Sequence, residues 1–426
     1  MNDMLRRRPA SADFCDRTPH APIEPMQAAF LALFAAYVSL LPIANTIALR
    51  YIVFIALLGL TATALWRVRQ WPALPLATAW GAYAVVGALS LLAAIDPAAS
   101  LGEFKTEILY CFAVFIVGSV WGERFGRFMP FLAVLALANA LLSVTAWCFA
   151  SYSMSTPEAQ QIPRIAYAGL NSNWILIAIF FYALAIPRLW RRRQRLAALA
   201  LLLLIGLDLW AMTVGANRQN WVALAAGICC AGLVLLYFRF SWRRLGAWIA
   251  LLGIVVAIFA WQTLRRAPPP LVVGTETAPA PALTQDVRLE IWSFTWKKIA
   301  AQPWSGAGMG RDVFKKAYPD YQARSPEQWH AHNMLLNKGV QMGLPGMLAF
   351  LLLWLALGRR LVGHLRDDPA RRLLATAGLA AVAATFVKNM TDDFFVRDVA
   401  LLFWLVMGLL LGSLRRAPPG EDADRA

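Results

Sequence analysis

Leu196-Ala197-Ala198-Leu199-Ala200-Leu201-Leu202-Leu203-Leu204-Ile205-Gly206-Leu207 is a run of twelve residues with no polar side chain. A second such run goes from Leu348 to Leu357, interrupted only by aromatic rings. Continuous apolar sequence of this kind is not a strand of a membrane barrel, which alternates facing lipid and lumen. It is a helix, because a chain crossing lipid must satisfy its own backbone hydrogen bonds, and an open strand cannot.

Working outward, similar blocks near twenty residues long recur along the whole chain, the length that crosses a bilayer. The composition agrees: 426 residues, 59% hydrophobic, with a mean hydropathy of +0.54. That is too apolar for ordinary soluble domains. Twelve spans are predicted, at 27–45, 47–66, 73–95, 107–122, 128–150, 173–189, 196–213, 219–238, 245–263, 333–357, 373–390 and 399–414. The first lacks a small-residue cleavage site after it and reads as a retained helix, not a signal peptide. The predicted organisation is a tail (1–26), nine spans (27–263), one long loop (264–332), three further spans (333–414) and a second tail (415–426).

The arginines orient these spans. Arg6 to Arg8, Arg67 and Arg69, Arg124 and Arg127, Arg188 to Arg195, Arg239 to Arg244, Arg359 to Arg372, and Arg415 and Arg416 all fall on one side. The short connections opposite carry only Arg50, Lys105, Arg164, Arg218, Lys388 and Arg397. The positive-inside rule puts the first side, with both tails, in the cytoplasm. The net charge of +16 is mostly this topology signal. No basic stripe with interleaved aromatics points to nucleic acid. The 18 Trp fit interfacial belts. The five cysteines leave the long loop without any, so no disulfide framework is expected.

The long loop is predicted to lie outside. Ala267 to Leu283 is Pro-rich and reads as an extended spacer. Thr284 to Ala301 reads as an amphipathic helix, with Thr284 as cap, Asp286 in the first turn, and Leu289, Trp292, Trp296 and Ile299 as its apolar face. Pro303 ends it. Gly306, Gly308 and Gly310 then read as a plain turn, since no strand precedes them to make a nucleotide fingerprint.

Candidate chemistry gathers at the same outer edge. His330 and His332 stand one residue apart at the mouth of the tenth span. A His-x-His pair can ligate a metal, but Asp320 and Glu327 show no metal-site spacing, and no metal is expected. The pair is either an interfacial one without a role or contains a general base, since imidazole titrates near neutral pH. Arg218, in Gly215-Ala216-Asn217-Arg218-Gln219-Asn220, and Arg288, on the amphipathic helix, are either solvated or snorkelling side chains or grips for phosphate oxygens. Asp208, inside the seventh span, is a functional or pairing candidate. Asp392 and Asp393 sit in the last outer turn and either cap a helix or hold a partner.

His332-Asn333, followed after nine residues by Gly343 and then by Gly346, resembles the signature of the bacterial O-antigen ligases. Arg288-Leu289-Glu290-Ile291-Trp292 through Pro303-Trp304-Ser305-Gly306-Ala307-Gly308 is similar to that family's outer-loop helix and its Pro-x-x-Gly-x-Gly exit. The Arg218 turn is similar too, with Asn217 where the family usually has Ser. The resemblance implies a GT-C-like, all-α polytopic membrane glycosyltransferase in a Gram-negative inner membrane, its active site facing the periplasm. Such an enzyme moves an O-antigen glycan from undecaprenyl diphosphate to a sugar of the lipid A core, inverts the anomeric centre, and uses no metal or nucleotide cofactor. On that reading Arg218 and Arg288 bind the diphosphate and His332 is the base. Asn333 or His330 orients it, and Asp392 or Asp393 holds a partner or the acceptor sugar. An O-antigen polymerase, a protein O-oligosaccharyltransferase and a lipid-linked glycan transporter remain as alternatives. The transporter predicts interrupted helices, inverted repeats and polar groups near the midplane of the bilayer.

Overall fold

The computed structural model describes residues 24–43, 46–69, 74–155, 164–214, 219–264, 272–273, 276–277, 287–310, 312–324, 330–391, 393, 395 and 397–415; over 145–155, 164–173 and at a few helix ends it describes the backbone alone. The helices are α1 (Glu24–Leu40), α2 (Ile47–Val68), α3 (Ala77–Ser90), α4 (Pro97–Phe104), α5 (Cys111–Phe125), α6 (Met129–Ser155), α7 (Arg164–Arg191), α8 (Arg195–Val214), α9 (Gln219–Phe238) and α10 (Trp242–Leu264). After them come α11 (Val287–Ala301), α12 (Val313–Ala317), α13 (Pro319–Arg324), α14 (Met334–Gly363), α15 (Pro369–Thr391) and α16 (Arg397–Arg415). Inside the predicted spacer, β1 (Val272–Val273) pairs antiparallel with β2 (Glu276–Thr277).

All twelve predicted spans fall on helices. Among the described residues nine helices are long and apolar enough to cross a membrane, and Pro25–Leu40, Ala77–Ala93 and Met129–Val144 are shorter apolar ones. The chain is an all-α polytopic membrane protein. Several boundaries differ from expectation: α7 starts nine residues early, at Arg164, and α6 and α14 run on to Ser155 and Gly363. The first helix stops at Leu40, where the Thr46 hydroxyl donates to the Ile43 carbonyl at 2.7 Å and closes a turn. The fourth starts ten residues early, at Pro97, because the Asp96 side chain caps it by accepting from the Ala99 amide at 3.0 Å. It continues through a π-helical turn, Lys105–Tyr110, into α5.

The closest helix pair is α5 with α16, the meeting of two Gly-x-x-x-Gly faces. Gly118 and Gly122 lie against the backbone of Leu405 and Leu409, and Gly408 and Gly412 lie against that of Phe115 and Ser119. With lipid on all sides there is little hydrophobic force between helices, so close backbone approach at small residues holds them. The Ser413 hydroxyl adds a bond to the Gly122 carbonyl at 3.4 Å.

The tryptophans divide between two roles. Trp66, Trp242 and Trp304 are exposed, as an interfacial belt requires, but Trp80, Trp121, Trp221 and Trp404 are fully buried. Trp121 stacks on Phe30 at 4.6 Å and donates to the Thr61 hydroxyl at 2.9 Å. Asp208 is a pairing residue: on α8, it accepts both of its Asn139 bonds (2.9 and 2.8 Å) and one from Ser143 (3.0 Å), tying α8 to α6.

The two ends of the bundle differ in charge. At the arginine-rich end Arg415 meets Glu123 at 3.6 Å, and the Arg372 guanidinium lies 4.2 Å over the Phe238 ring. At the other end Arg50 pairs with Asp398 (2.6 Å), Arg397 with Glu103 (3.1 Å) and Lys316 with Asp96 (2.6 Å). The hydrogen bond from Lys316 holds the Asp96 carboxyl below the usual carboxylate range. That contribution is present at neutral pH and fades as pH falls through the lowered value. Lys388, predicted in a short connection, is instead fully buried within α15.

Candidate active site at the loop-bearing end of α14

The residues before α14 are fixed one by one. Asn333 is its N-cap: the side-chain oxygen accepts from the amides of Leu335 (3.0 Å) and Leu336 (3.1 Å), satisfying donors that the first helical turn leaves unpaired. The Asn333 amide nitrogen donates to the Met390 carbonyl at 2.9 Å, pinning this end of α14 to the end of α15. The Ala331 amide donates to Asn337 Oδ1 at 2.8 Å, and the His332 amide to His330 Nδ1 at 2.9 Å. That last bond requires His330 Nδ1 to carry no proton. The two imidazole centroids are 3.9 Å apart.

His332 itself has φ +49°, in the left-handed region. Few residues other than glycine adopt it, and such conformations persist where the surroundings impose them, often at functional sites. Here the capping Asn333 and the His330 acceptor impose it from both sides. Asn333→Ala is expected to cost about 1–2 kcal/mol of stability through the lost cap. Asn333→Asp keeps the cap and loses only the bond to Met390. Thermal unfolding of both variants checks the order.

Both glycines of the signature lie at a break in α14. Gly343 has φ +69° and ψ −170°, so the helix ladder stops there. Its neighbours find partners in the loop. The Val340 carbonyl accepts from Ala307 N (2.8 Å), the Gln341 carbonyl from Gly308 N (3.1 Å), and Leu344 N donates to the Pro303 carbonyl (2.8 Å). The Pro303-to-Gly308 exit is therefore seated on the broken helix and is more than the plain turn expected. Gly306 faces the Gln341 carbonyl so closely that a Cβ would collide with it. Pro345 and the tight packing of Gly346 on Met342 follow within the next turn.

A buried ion pair braces the same region. Lys338, on α14, bonds to Glu107, on the π-helical turn, and to Gln341 Oε1 at 2.9 Å. Gln341 Nε2 then donates to the Gly310 carbonyl at 3.2 Å. Glu103, one turn before Glu107, holds Arg397. Glu107, Lys338, Gln341 and Asn337 were not singled out from the sequence. The available signal was a lysine and a glutamate inside apolar spans, where ionisable groups pair or function.

Of the expected site residues, His330, His332, Asn333 and Asp393 come together. Asp393 joins through Asn337, whose Nδ2 donates to Asp393 Oδ2 at 2.5 Å. Arg218 and Asp392 lie outside the described residues, as do Thr284, Asp286 and Glu327. Gln219, next to Arg218, donates to the Thr391 carbonyl at 3.2 Å, so the start of α9 reaches the same end of α15 as Asn333. Arg288 lies on α11, one turn from Ile291, and Ile291 packs in a cluster with Ala331 between the two histidines. The face of α11 differs from expectation. Ile291, Thr295 and Ile299 are buried, whereas Leu289 and Trp296 are exposed, because the residues that meet α14 repeat strictly every four positions. Among the described residues no three His, Cys, Asp or Glu side chains are grouped to hold a metal ion.

Fold and site together describe a polytopic helical membrane protein with a strained, capped histidine where a loop helix meets a broken span. Residues 209–351, about a third of the chain, match the family model described as O-antigen ligase, and the sequence resemblance to that family is thereby shown. The matched stretch runs from α8 across the loop to Gly343 and Gly346. No curated protein matches the chain.

Proposed function

We propose that the protein is an O-antigen ligase: an inverting, metal-independent glycosyltransferase that moves an O-antigen glycan from undecaprenyl diphosphate to a lipid A-core sugar at the periplasmic face of the inner membrane. The observation that carries the reading is His332, held at φ +49° at the mouth of α14 within the segment that matches the ligase family. In the proposed reaction the His332 imidazole takes the proton of the acceptor hydroxyl. The oxygen attacks the anomeric carbon from the face opposite the diphosphate, the C1–O bond to phosphate breaks, and the configuration inverts. Negative charge develops on the departing diphosphate, and Arg218 and Arg288 are assigned to stabilise it. His330 and Asn333 hold the backbone of His332, and Asp393, through Asn337, steadies the turn before α14.

The turn His330–Asn333, with Asn337 and Asp393, lies at the loop-bearing end of the bundle, and the interruption of α14 at Gly343 is filled by the protein's own Pro303–Gly308 loop, which favours a transferase over a transporter. The test is complementation of a ligase-deficient Gram-negative host with a compatible core. Wild type is expected to restore the O-antigen ladder on a lipopolysaccharide gel. His332→Ala is expected to insert normally and lose about 10²–10⁴ in rate, the share a general base supplies. A full ladder from His332→Ala removes the base assignment. No ladder from wild type, with longer lipid-linked chains or a glycosylated protein in its place, moves the reading to polymerase or protein transferase.

A further inference from the structure

Leu289 and Trp296 on α11 lie outside the stripe the protein buries, and Trp292, at the border, packs on the loop cluster with its indole N–H buried. Ile291, Thr295 and Ile299 face α14 and the loop cluster. Leu289 is 57% exposed and Trp296 is 50% exposed, with Trp292 half-buried beside them. At about 100° per residue these three share a strip adjoining the core face. Ser293, Lys297 and Glu290 form a third, polar strip, all exposed. The helix thus faces three environments, and its own chain supplies only one.

The depth of α11 identifies the second. α14 breaks at Gly343, and from there to Arg360 its unbroken part is about 26 Å long at 1.5 Å per residue, a little short of the roughly 30 Å hydrocarbon core. Arg359 and Arg360 mark its arginine-rich end. The opposite edge of the hydrocarbon therefore falls just past the break, in the turn that holds Gly339. Ile299 of α11 sits directly on Gly339, so closely that a Cβ there would strike its Cδ1. The Trp304 backbone lies against Gly343, one turn deeper, and its ring is 80% exposed. The hydrocarbon boundary therefore passes through the level of α11 rather than below the loop.

We propose that α11 is an interfacial helix: Leu289 and Trp296, with Trp304 as a second anchor, are embedded at the headgroup–hydrocarbon boundary of the leaflet on the loop-bearing side. Tryptophan favours that boundary, where an apolar ring and a wet N–H are both accommodated. Lys297, next to the stripe, matches lipid phosphate. An amphipathic helix of this kind lies in the membrane plane with its apolar face sunk several ångströms. The proposal rests on the membrane fold and not on glycan transfer, so it stands or falls separately from the proposed function.

The test uses the full chain in nanodiscs of phosphatidylethanolamine and phosphatidylglycerol. A spin label is carried on p-acetylphenylalanine placed singly at Leu289, Ser293, Trp296 or Lys297, which leaves the native cysteines untouched. Power saturation compares collision with oxygen and with a water-soluble nickel chelate. Labels at 289 and 296 are expected to favour oxygen several-fold, and those at 293 and 297 to favour nickel. Equal nickel access at all four sites overturns the proposal, leaving a loop helix in water. Exclusion of both reagents at 289 and 296 also overturns it, since a protein surface then covers the stripe.

Discussion

Lys338→Met, made alone, is expected to destabilise the protein by about 3–5 kcal/mol, because it leaves the Glu107 carboxylate buried without its cation. Both partners are nearly inaccessible, Lys338 at 4% and Glu107 at 9% exposure, so solvent does little to screen the loss. Glu107→Gln is expected to act in the same direction. The pair exchanged together for apolar residues, Glu107→Leu with Lys338→Met, is expected to recover most of the stability. Buried ion pairs barely repay their desolvation, and well-packed apolar replacements often match them. Unfolding midpoints of the three variants in detergent, run as a double-mutant cycle, decide the matter. A Lys338→Met protein as stable as wild type shows that the two side chains are not coupled. Because Lys338 also bonds Gln341, which holds Gly310, the single variant is expected to loosen the loop seated on α14 before the bundle melts.

Gly122→Leu is expected to be at least as severe, by a different route. A Cβ at Gly122 already collides with the Leu409 carbonyl, and a branched side chain forces α5 and α16 apart along the whole seam. Ordinary overpacking costs about 1–3 kcal/mol, and here the obstacle is backbone that cannot rotate away. The expected result is little folded protein after extraction, read as the monodisperse fraction on size exclusion. Gly59→Leu serves as control, since nothing lies within 4 Å of a Cβ at Gly59. If both variants give the same folded yield, the seam does not hold the fold.

The spans were legible because lipid leaves the backbone one solution, and the apolar runs state it directly. Their partners were not. Gly118 to Gly122 and Gly408 to Gly412 display the small-residue pattern openly, yet nothing in either segment says that the other is its mate. Glu107 and Lys338 are a harder case, being 231 residues apart and joined only after the π-helical turn rotates Glu107 inward. His332, Asn333 and Gly343 were visible as a spaced motif, and the structure supplies the cause of the spacing. It is the stretch of α14 between a cap and the break that receives the Pro303–Gly308 loop. The face of α11 was misassigned because periodicity reports an apolar stripe without saying whether protein or lipid covers it.

The α5–α16 seam also sets a schedule. Ser413 follows Gly122 by 291 residues, and chain synthesis at about 5–20 residues per second takes roughly 15–60 s to cover that distance. Throughout that interval α5 is already made and its glycine face has no mate. That close seam therefore cannot form until α16 is made, and until then the glycine face of α5 is open to lipid or to other helices.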